Sequence, residues 1–522
     1  MTDRSAPAPD ILAALLTSCA RDPAAPALSL GARSLSYGEF RARIFAVASG
    51  LAERGFVPGD RVLFSVRPGI DGICLALGIV AAGGTVVFAD PGAGESLFRA
   101  RATLAAPRWV AAESLLYLAS SGPLRRAARS RGLELPPYSS VVPDARHLYA
   151  GPWLPGVPRG GVAVRALLAR ASGRSAAEPS PLGSPTDPAL IIFTSGTTDH
   201  PKAVVHSRAS LGAGLTDFAS HVRLKPGDRV LTDQLMVGIP ALIAGAQWML
   251  PPVGANPGAQ PEQYLNLLPD ADVLFAVPAA LDAILSLLEL HPEKTPHIHT
   301  LLIGGAPVLR PLLERVRRRM PRTRILAIYG MTEILPVAIA DGDEKLAFAG
   351  AGDYVGELMG CVTATIVAGE LVLAGPGLAL GYLGDPPLDE LRTGDLARIE
   401  DDRVVLSGRS KDMFIRGTTN VYPGLYEPLI ASLPGIADVA MVGVPDAIGD
   451  DTVVLVVVPV DGARELSQGH PVIPAIRRVL PGLIDAAVLP DVILVTGSLP
   501  RAGRSSKVDR AALAHTVAEF LA

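Results

Sequence analysis

The stretch Ile191-Ile-Phe-Thr-Ser-Gly-Thr-Thr-Asp-His-Pro-Lys-Ala-Val204 sets the reading of this chain. An apolar, strand-forming run empties into a turn that holds four hydroxyls, a glycine and a lysine. Thr194, Ser195, Thr197 and Thr198 each offer a hydroxyl donor, Gly196 lets backbone amides turn towards an anion, and Lys202 adds a positive charge. These are the parts of a phosphate-binding loop at the end of a strand. A surface Ser/Thr turn has the same composition, so the segment by itself leaves both readings open.

Three later stretches decide between them. They are Tyr329-Gly-Met-Thr-Glu333; Arg392-Thr-Gly-Asp-Leu396, continuing to Ser407-Gly-Arg-Ser-Lys-Asp412; and Leu499-Pro-Arg-Ala-Gly-Arg-Ser-Ser-Lys-Val-Asp-Arg510. With the first stretch, in this order and spacing, they resemble the acyl- and aryl-CoA synthetases, adenylation domains and luciferases, the adenylate-forming superfamily. A weaker likeness continues upstream through Leu35-Ser-Tyr-Gly-Glu39, Gly59-Asp-Arg-Val62 and Ala81-Ala-Gly-Gly-Thr85. The resemblance implies an α/β fold in two domains. Residues 1–408 form a large domain of parallel-sheet α/β subdomains with a small β-subdomain, 409–411 a hinge, and 412–522 a small mobile α+β domain.

Composition agrees with a multidomain enzyme and excludes other classes. A chain of 522 residues is long for one core. With 47 basic and 51 acidic side chains, the net charge of −4 gives no pull towards nucleic acid or an anionic membrane. Its Ala, Gly, Pro and Arg usage suits a GC-rich bacterial genome. The start, Met1-Thr-Asp-Arg-Ser-Ala-Pro, lacks a hydrophobic signal core, so a cytoplasmic location is expected. The run from Gly72 to Ala89 is broken at Gly83-Gly84 and reads as a buried helix and strand, not a membrane span. Cys19, Cys74 and Cys361 lack metal-ligand spacing and read as core.

Taken in order, the chain alternates strands and helices. Helical periodicity marks 10–19 and 37–53, with a small hairpin between them at 27–36; a strand at 61–65 follows, then the helix and strand of 72–89. From 107 to 181 the pattern loosens into helical pieces at 124–131 and 163–173, and Arg125, Arg126, Arg129 and Arg131 read as a solvated helix face. Beyond the loop, 207–221 reads as helix and 228–232, 273–277, 300–303 and 324–328 as strands, with a helix at 278–290. Gly304-Gly-Ala-Pro307 lets a flat ring approach backbone. Short strands at 364–367 and 370–373 mark a β-rich part, and 411–522 reads β, α, β, β, α, with strands at 438–444 and 452–460 and a final helix from Arg510.

The resemblance also implies roles. Residues 194–202 would hold the ATP triphosphate, Glu333 Mg²⁺, and Thr332 the α-phosphate. Gly305, Ala306, Pro307 and Tyr329 would lie along the adenine, Gly330 and Met331 would belong to the same ATP/AMP site, and Asp395 and Arg409 would lie at the ribose. Lys507 would bridge the substrate carboxylate and the α-phosphate. Lys411 stands at the hinge, and Arg416 and Gly417 in a loop facing CoA. Gln234, Met236, Ile239, Gly304 and Leu335 would line the acyl pocket, although ordinary core is an equal reading for 234–240. The expected reaction is ATP-dependent ligation of a hydrophobic carboxylic acid to CoA through an acyl-AMP. Asp199 and Ala203 stand where the family loop has glycines, which leaves open an enzyme that only converts acyl-AMP, made by a companion adenylating enzyme, to the thioester. A β-lactone synthetase, a fatty-acyl-AMP ligase delivering to a carrier-protein pantetheine, and a non-catalytic adenylate-binding protein are the rival readings.

Overall fold

Short Val-, Ile- and Leu-rich runs, each followed by a helix, build two parallel sheets. The computed structural model describes residues 10–93, 95–121, 124–125, 135–169, 181–193, 202–252, 254–255, 260–409, 412–416, 419–445, 451–484, 488–502 and 507–521. In the larger sheet, of thirteen strands, Arg324–Met331, Thr300–Gly304, Val273–Ala276, Arg229–Leu231, Gln247–Leu250 and Pro26–Leu30 run parallel in that spatial order, and Arg33–Ser36 closes one edge. On the other flank the chain turns back on itself. Ile334–Asp341, Asp353–Leu358, Arg403–Arg409, Leu391–Glu400, Glu370–Ala374 and Thr363–Val367 continue the same sheet antiparallel. The expected β-rich part is therefore hydrogen-bonded into the larger sheet.

The second sheet, of eight strands, places Pro188–Phe193, Thr85–Phe88, Arg61–Ser65, Trp109–Glu113, Arg146–Ala150 and Val162–Ala163 parallel, with Ala203–Ser207 and Gly381–Tyr382 antiparallel at its edge. Between the sheets lie the helices Ile11–Arg21, Tyr37–Ala52, Ile70–Ala81, Arg208–Val222 and Leu235–Ala244, which share one apolar cluster with residues of both sheets. Ser36 caps Tyr37–Ala52 through a reciprocal bond pair with Glu39, so the hairpin and helix meet at a fixed angle.

Residues beyond the larger sheet form a three-stranded sheet of Ile436–Pro445, Asp451–Pro459 and Val492–Val495. Alternation along Ile436–Pro445 sends Val439 and Met441 into one cluster with the helices Pro423–Ala431 and Val472–Val479, and Ala440 and Val442 into another with Arg510–Leu521. The helix Val472–Val479 and the strand Val492–Val495 are additions to the expected β, α, β, β, α order. Pro474 in the first turn hides the helix from a periodicity reading, yet the first turn is where proline is tolerated.

Two other expectations change. Gly238 and Pro240 do not break the chain but lie inside the continuous helix Leu235–Ala244. Gly238 is required because a Cβ there would lie 2.0 Å from the Trp248 ring. Arg125, the one residue of its basic cluster that is described, pairs with Glu95 at 2.5 Å; Arg126, Arg129 and Arg131 lie outside the described residues. The three cysteines are buried free thiols pushed up to about 12 by burial, which suits core residues. Among the described residues no helix is long and apolar enough to cross a membrane.

Candidate active site

Thr332 and Glu333 are the two-residue tip of a hairpin. Arg324–Met331 and Ile334–Asp341 pair antiparallel, with Met331 opposite Ile334, so the motif stands at the end of two long strands. Two neighbouring strands fasten the tip. From Ala203–Ser207, the buried His206 donates Nε2–H to the Thr332 carbonyl oxygen at 2.7 Å. From Gly381–Tyr382, the Tyr382 hydroxyl donates to Glu333 Oε1 at 2.8 Å, and the Ala379 amide donates to the Glu333 carbonyl at 2.8 Å. Those two strands pair with one another, with Tyr382 opposite Val204. The strand that follows the expected phosphate loop is thereby joined to the hairpin tip.

Lys202 stands at that exit, its Nζ 5.1 Å from the centroid of the Tyr382 ring. A cation over a phenol whose hydroxyl meets a carboxylate forms the array Lys202–Tyr382–Glu333. Burial, and then the Glu333 carboxylate that accepts its proton, pushes the Tyr382 hydroxyl above its ordinary range, so it stays a donor. Burial holds His206 below the usual imidazole range against the opposing pull of the Thr332 carbonyl and Glu333, so the ring is neutral at pH 7. Thr194, Ser195, Gly196, Thr197, Thr198 and Asp199 lie outside the described residues. Ala203 is a buried, paired strand residue opposite Phe193.

The residues expected at the nucleoside lie on the neighbouring strands. Tyr329 donates its hydroxyl to Asp395 Oδ2 at 2.5 Å across 66 positions of sequence. Asp395 is buried on Leu391–Glu400, where its amide donates to Thr393 Oγ1 at 3.0 Å and Thr393 in turn donates to the Leu371 carbonyl. Arg409 stands opposite Asp395 in the sheet register. Gly304 ends the strand Thr300–Gly304, and Gly305 follows with φ of +83°, a left-handed conformation that suits glycine and turns the chain through Ala306 and Pro307. Gly304 is buried, while Gly305 and Pro307 are exposed.

The acyl-pocket candidates divide. Gln234 is the residue before the helix Leu235–Ala244, its side-chain amide donating to Asp233. Met236 and Ile239 face the apolar cluster between the sheets. Leu335 lies beside Gly330, where a Cβ would stand 3.4 Å from Leu335 Cδ2.

Other candidates lie in the C-terminal portion. Lys507 is in a hairpin of Arg501–Ala502 and Lys507–Val508, opposite Ala502. Arg416 donates to the Leu489 carbonyl at 2.7 Å and pairs with Asp491, which ties the hairpin Phe414–Arg416/Thr419–Val421 to the C-terminal sheet. Arg510, the last residue of its motif, donates to both Glu427 oxygens at 2.7 and 2.6 Å and holds two helices together. Lys411 and Gly417 lie outside the described residues.

Tyr382 and His206 are the residues that sequence reasoning does not single out. A tyrosine after a glycine at the close of a β-rich stretch, and one histidine in an apolar strand, are the available signals. Neither has meaning until the strand pairing is known.

A family model described as AMP-binding enzyme matches residues 15–383. The chain is 30% identical over 377 residues to an indoleacetate–CoA ligase of Aromatoleum aromaticum, covering 66% of this chain and 70% of that one. It is 28% identical over 512 residues to a feruloyl-CoA synthase of Amycolatopsis, covering 92% and 94%. Among solved structures, the amide bond synthetase McbA of Marinactinospora thermotolerans superposes with a TM-score of 0.79 at 21% identity, covering 98% of this chain and 100% of that one. ATP-bound MatB of Rhodopseudomonas palustris superposes with a TM-score of 0.77 at 24% identity, covering 98% and 99%.

Proposed function

This chain belongs to the AMP-binding enzyme family, and from that premise we propose that it is an acid–CoA ligase that activates a hydrophobic carboxylic acid as its acyl-AMP. The observation that carries the reading is the hairpin tip, where Glu333, Tyr382 and Lys202 form one array while the Tyr329–Asp395 pair stands on the adjoining strands. The substrate carboxylate oxygen attacks the α-phosphorus of ATP and pyrophosphate leaves. The CoA sulfur then attacks the acyl carbon, and AMP departs with the oxygen that linked it.

Each residue has a task that its setting supports. Lys202 and the loop before it hold the triphosphate. Asp395 accepts from the ribose hydroxyls, a role compatible with its Tyr329 bond because a carboxylate accepts several hydrogen bonds. Glu333 spends Oε1 on Tyr382, and its second oxygen has no partner among the described residues. Nor do those residues hold a group of three or more His, Cys, Asp or Glu placed to bind a metal ion. A single carboxylate suits Mg²⁺, which takes one or two carboxylates together with substrate phosphates and water. When bound, Mg²⁺ would neutralise phosphate charge.

Lys507 screens the repulsion between the two reacting anions. It arrives on the C-terminal portion, residues 412–522, which turns about Lys411 between the two steps, and Arg416 braces the loop that faces CoA. The buried, regular setting of Ala203 supports a complete ligase over an enzyme confined to thioester formation, since its methyl belongs to the strand. A panel of aryl and alkyl acids supplied with ATP and CoA tests the proposal. Acyl-CoA, AMP and pyrophosphate in equal amounts are expected; thioester from synthetic acyl-AMP without pyrophosphate release would leave only the second half-reaction.

A further inference from the structure

The eight-stranded sheet has a second cleft at the end opposite the phosphate loop. Trp109 and Arg146 are the paired first residues of Trp109–Glu113 and Arg146–Ala150, whereas the loop follows Phe193, the last residue of a strand parallel to both. The cleft holds about 410 Å³ and is lined by Arg54, Arg146, Arg159, His147, Trp109 and Val162, among others. That volume suits a small molecule.

Its wall is made of donors. Arg54 donates to the Gly50 carbonyl at 2.7 Å, and Arg146 lies over the Trp109 ring at 5.4 Å. Among the described residues none of Arg54, Arg146 and Arg159 has a carboxylate partner, although Arg108 next door is paired with Asp60 at 2.6 Å. His147 adds a buried imidazole to the lining. It is 7% exposed, and its Nδ1 lies 3.0 Å from the Tyr117 hydroxyl. The same hydroxyl lies 3.4 Å from the Leu148 carbonyl, and His147 Nε2 has no partner among the described residues. Burial lowers the ring to about 4, so it is neutral at pH 7.

Three guanidiniums without a carboxylate partner among the described residues, lining one cleft with a neutral imidazole, make a setting for a compact, multiply charged oxyanion, and guanidinium forks match phosphate oxygens. We infer that this cleft is a second binding site, for a small phosphate-bearing anion, separate from the adenylate site. A ligand there would bridge Arg54, on the turn after Tyr37–Ala52, to Arg146 and Arg159 and would tie the outer helix to the sheet edge.

Calorimetric titration of the intact chain with inorganic phosphate tests the inference, with citrate as the carboxylate control. Saturable phosphate binding is expected in the wild type and in Lys202→Ala alike, weakened roughly tenfold or more in Arg146→Gln/Arg159→Gln. Both arginines are exposed, so the melting temperature without phosphate should hold; if the double variant lowers it, Arg159→Gln alone should still weaken binding. Absence of saturable binding, equal affinity in the arginine variants, loss in Lys202→Ala, or citrate binding as tightly as phosphate would each overturn the inference.

Discussion

The hairpin that carries Thr332 and Glu333 and the hairpin that carries Lys507 have opposite settings. The first has strands of eight residues each, lies inside the thirteen-stranded sheet, and is fastened by His206, Tyr382 and Ala379. The second has strands of two residues each and, among the described residues, forms a sheet of its own two strands alone. An isolated hairpin of that length is marginal by itself, so its position follows that of the C-terminal portion. In the proposed reaction, the groups that would hold ATP are thus built into the large sheet, while the cation proposed for the first step is mounted on a separately cored body. That division is what alternation between two half-reactions requires.

Removing Lys507 breaks the comparison most severely. Lys507→Ala should slow acyl-AMP formation roughly 100-fold or more while sparing thioester formation from supplied acyl-AMP, measured as separate half-reactions. Equal loss in both would place Lys507 outside the first step. Tyr382→Phe acts on the fixed hairpin. It removes one bond to a carboxylate and should slow adenylation roughly tenfold, with a raised Mg²⁺ requirement, in a chain that melts normally. An unchanged Mg²⁺ dependence would mean that Tyr382 does not orient Glu333.

A smaller effect is expected where the two regions touch. A Cβ on Gly424, in the helix Pro423–Ala431, would lie 2.7 Å from the Gly408 Cα at the end of Arg403–Arg409. Backbone cannot yield as a flexible side chain does, so Gly424→Ala disfavours this placement of the C-terminal portion. The ratio of the two half-reaction rates should shift roughly fivefold; an unchanged ratio would show that this contact does not bias the alternation.

The mildest test is pH. His206 has its pKa lowered in the folded chain, so its contribution to stability is present above the unfolded value of about 6.5 and is lost as pH falls below it. Between pH 7 and 5 the protection of the Ile334 amide, taken relative to its intrinsic exchange rate at each pH, should therefore fall, and His206→Gln should flatten the effect. A fall in protection of equal size along Asp451–Pro459 would point to global loosening in place of a local effect.

Much of the scaffold is legible because its signals are local. The helix at 278–290 follows a proline start and an apolar stripe, and the strand at 61–65 follows a Gly-Asp turn; both occur at those bounds. Tyr329 and Asp395 are named by motif, but their direct bond depends on strands separated by 66 positions. Gly238 reads as a breaker because the Trp248 ring that demands it lies on another element. Tyr382 and His206 acquire their partners only through the pairing of Ala203–Ser207 with Gly381–Tyr382. What sequence conceals here is side-chain partnership across strands, since neither spacing nor periodicity encodes it.

Oxygen tracing tests the central claim most directly. An accepted acid labelled with ¹⁸O in both carboxylate oxygens is turned over with ATP and CoA, and the AMP is weighed by mass spectrometry. Attack of the carboxylate on the α-phosphorus, followed by thiol attack on the acyl carbon, leaves one ¹⁸O in the phosphate of every AMP. Unlabelled AMP, or ADP in its place, would contradict the acyl-AMP route.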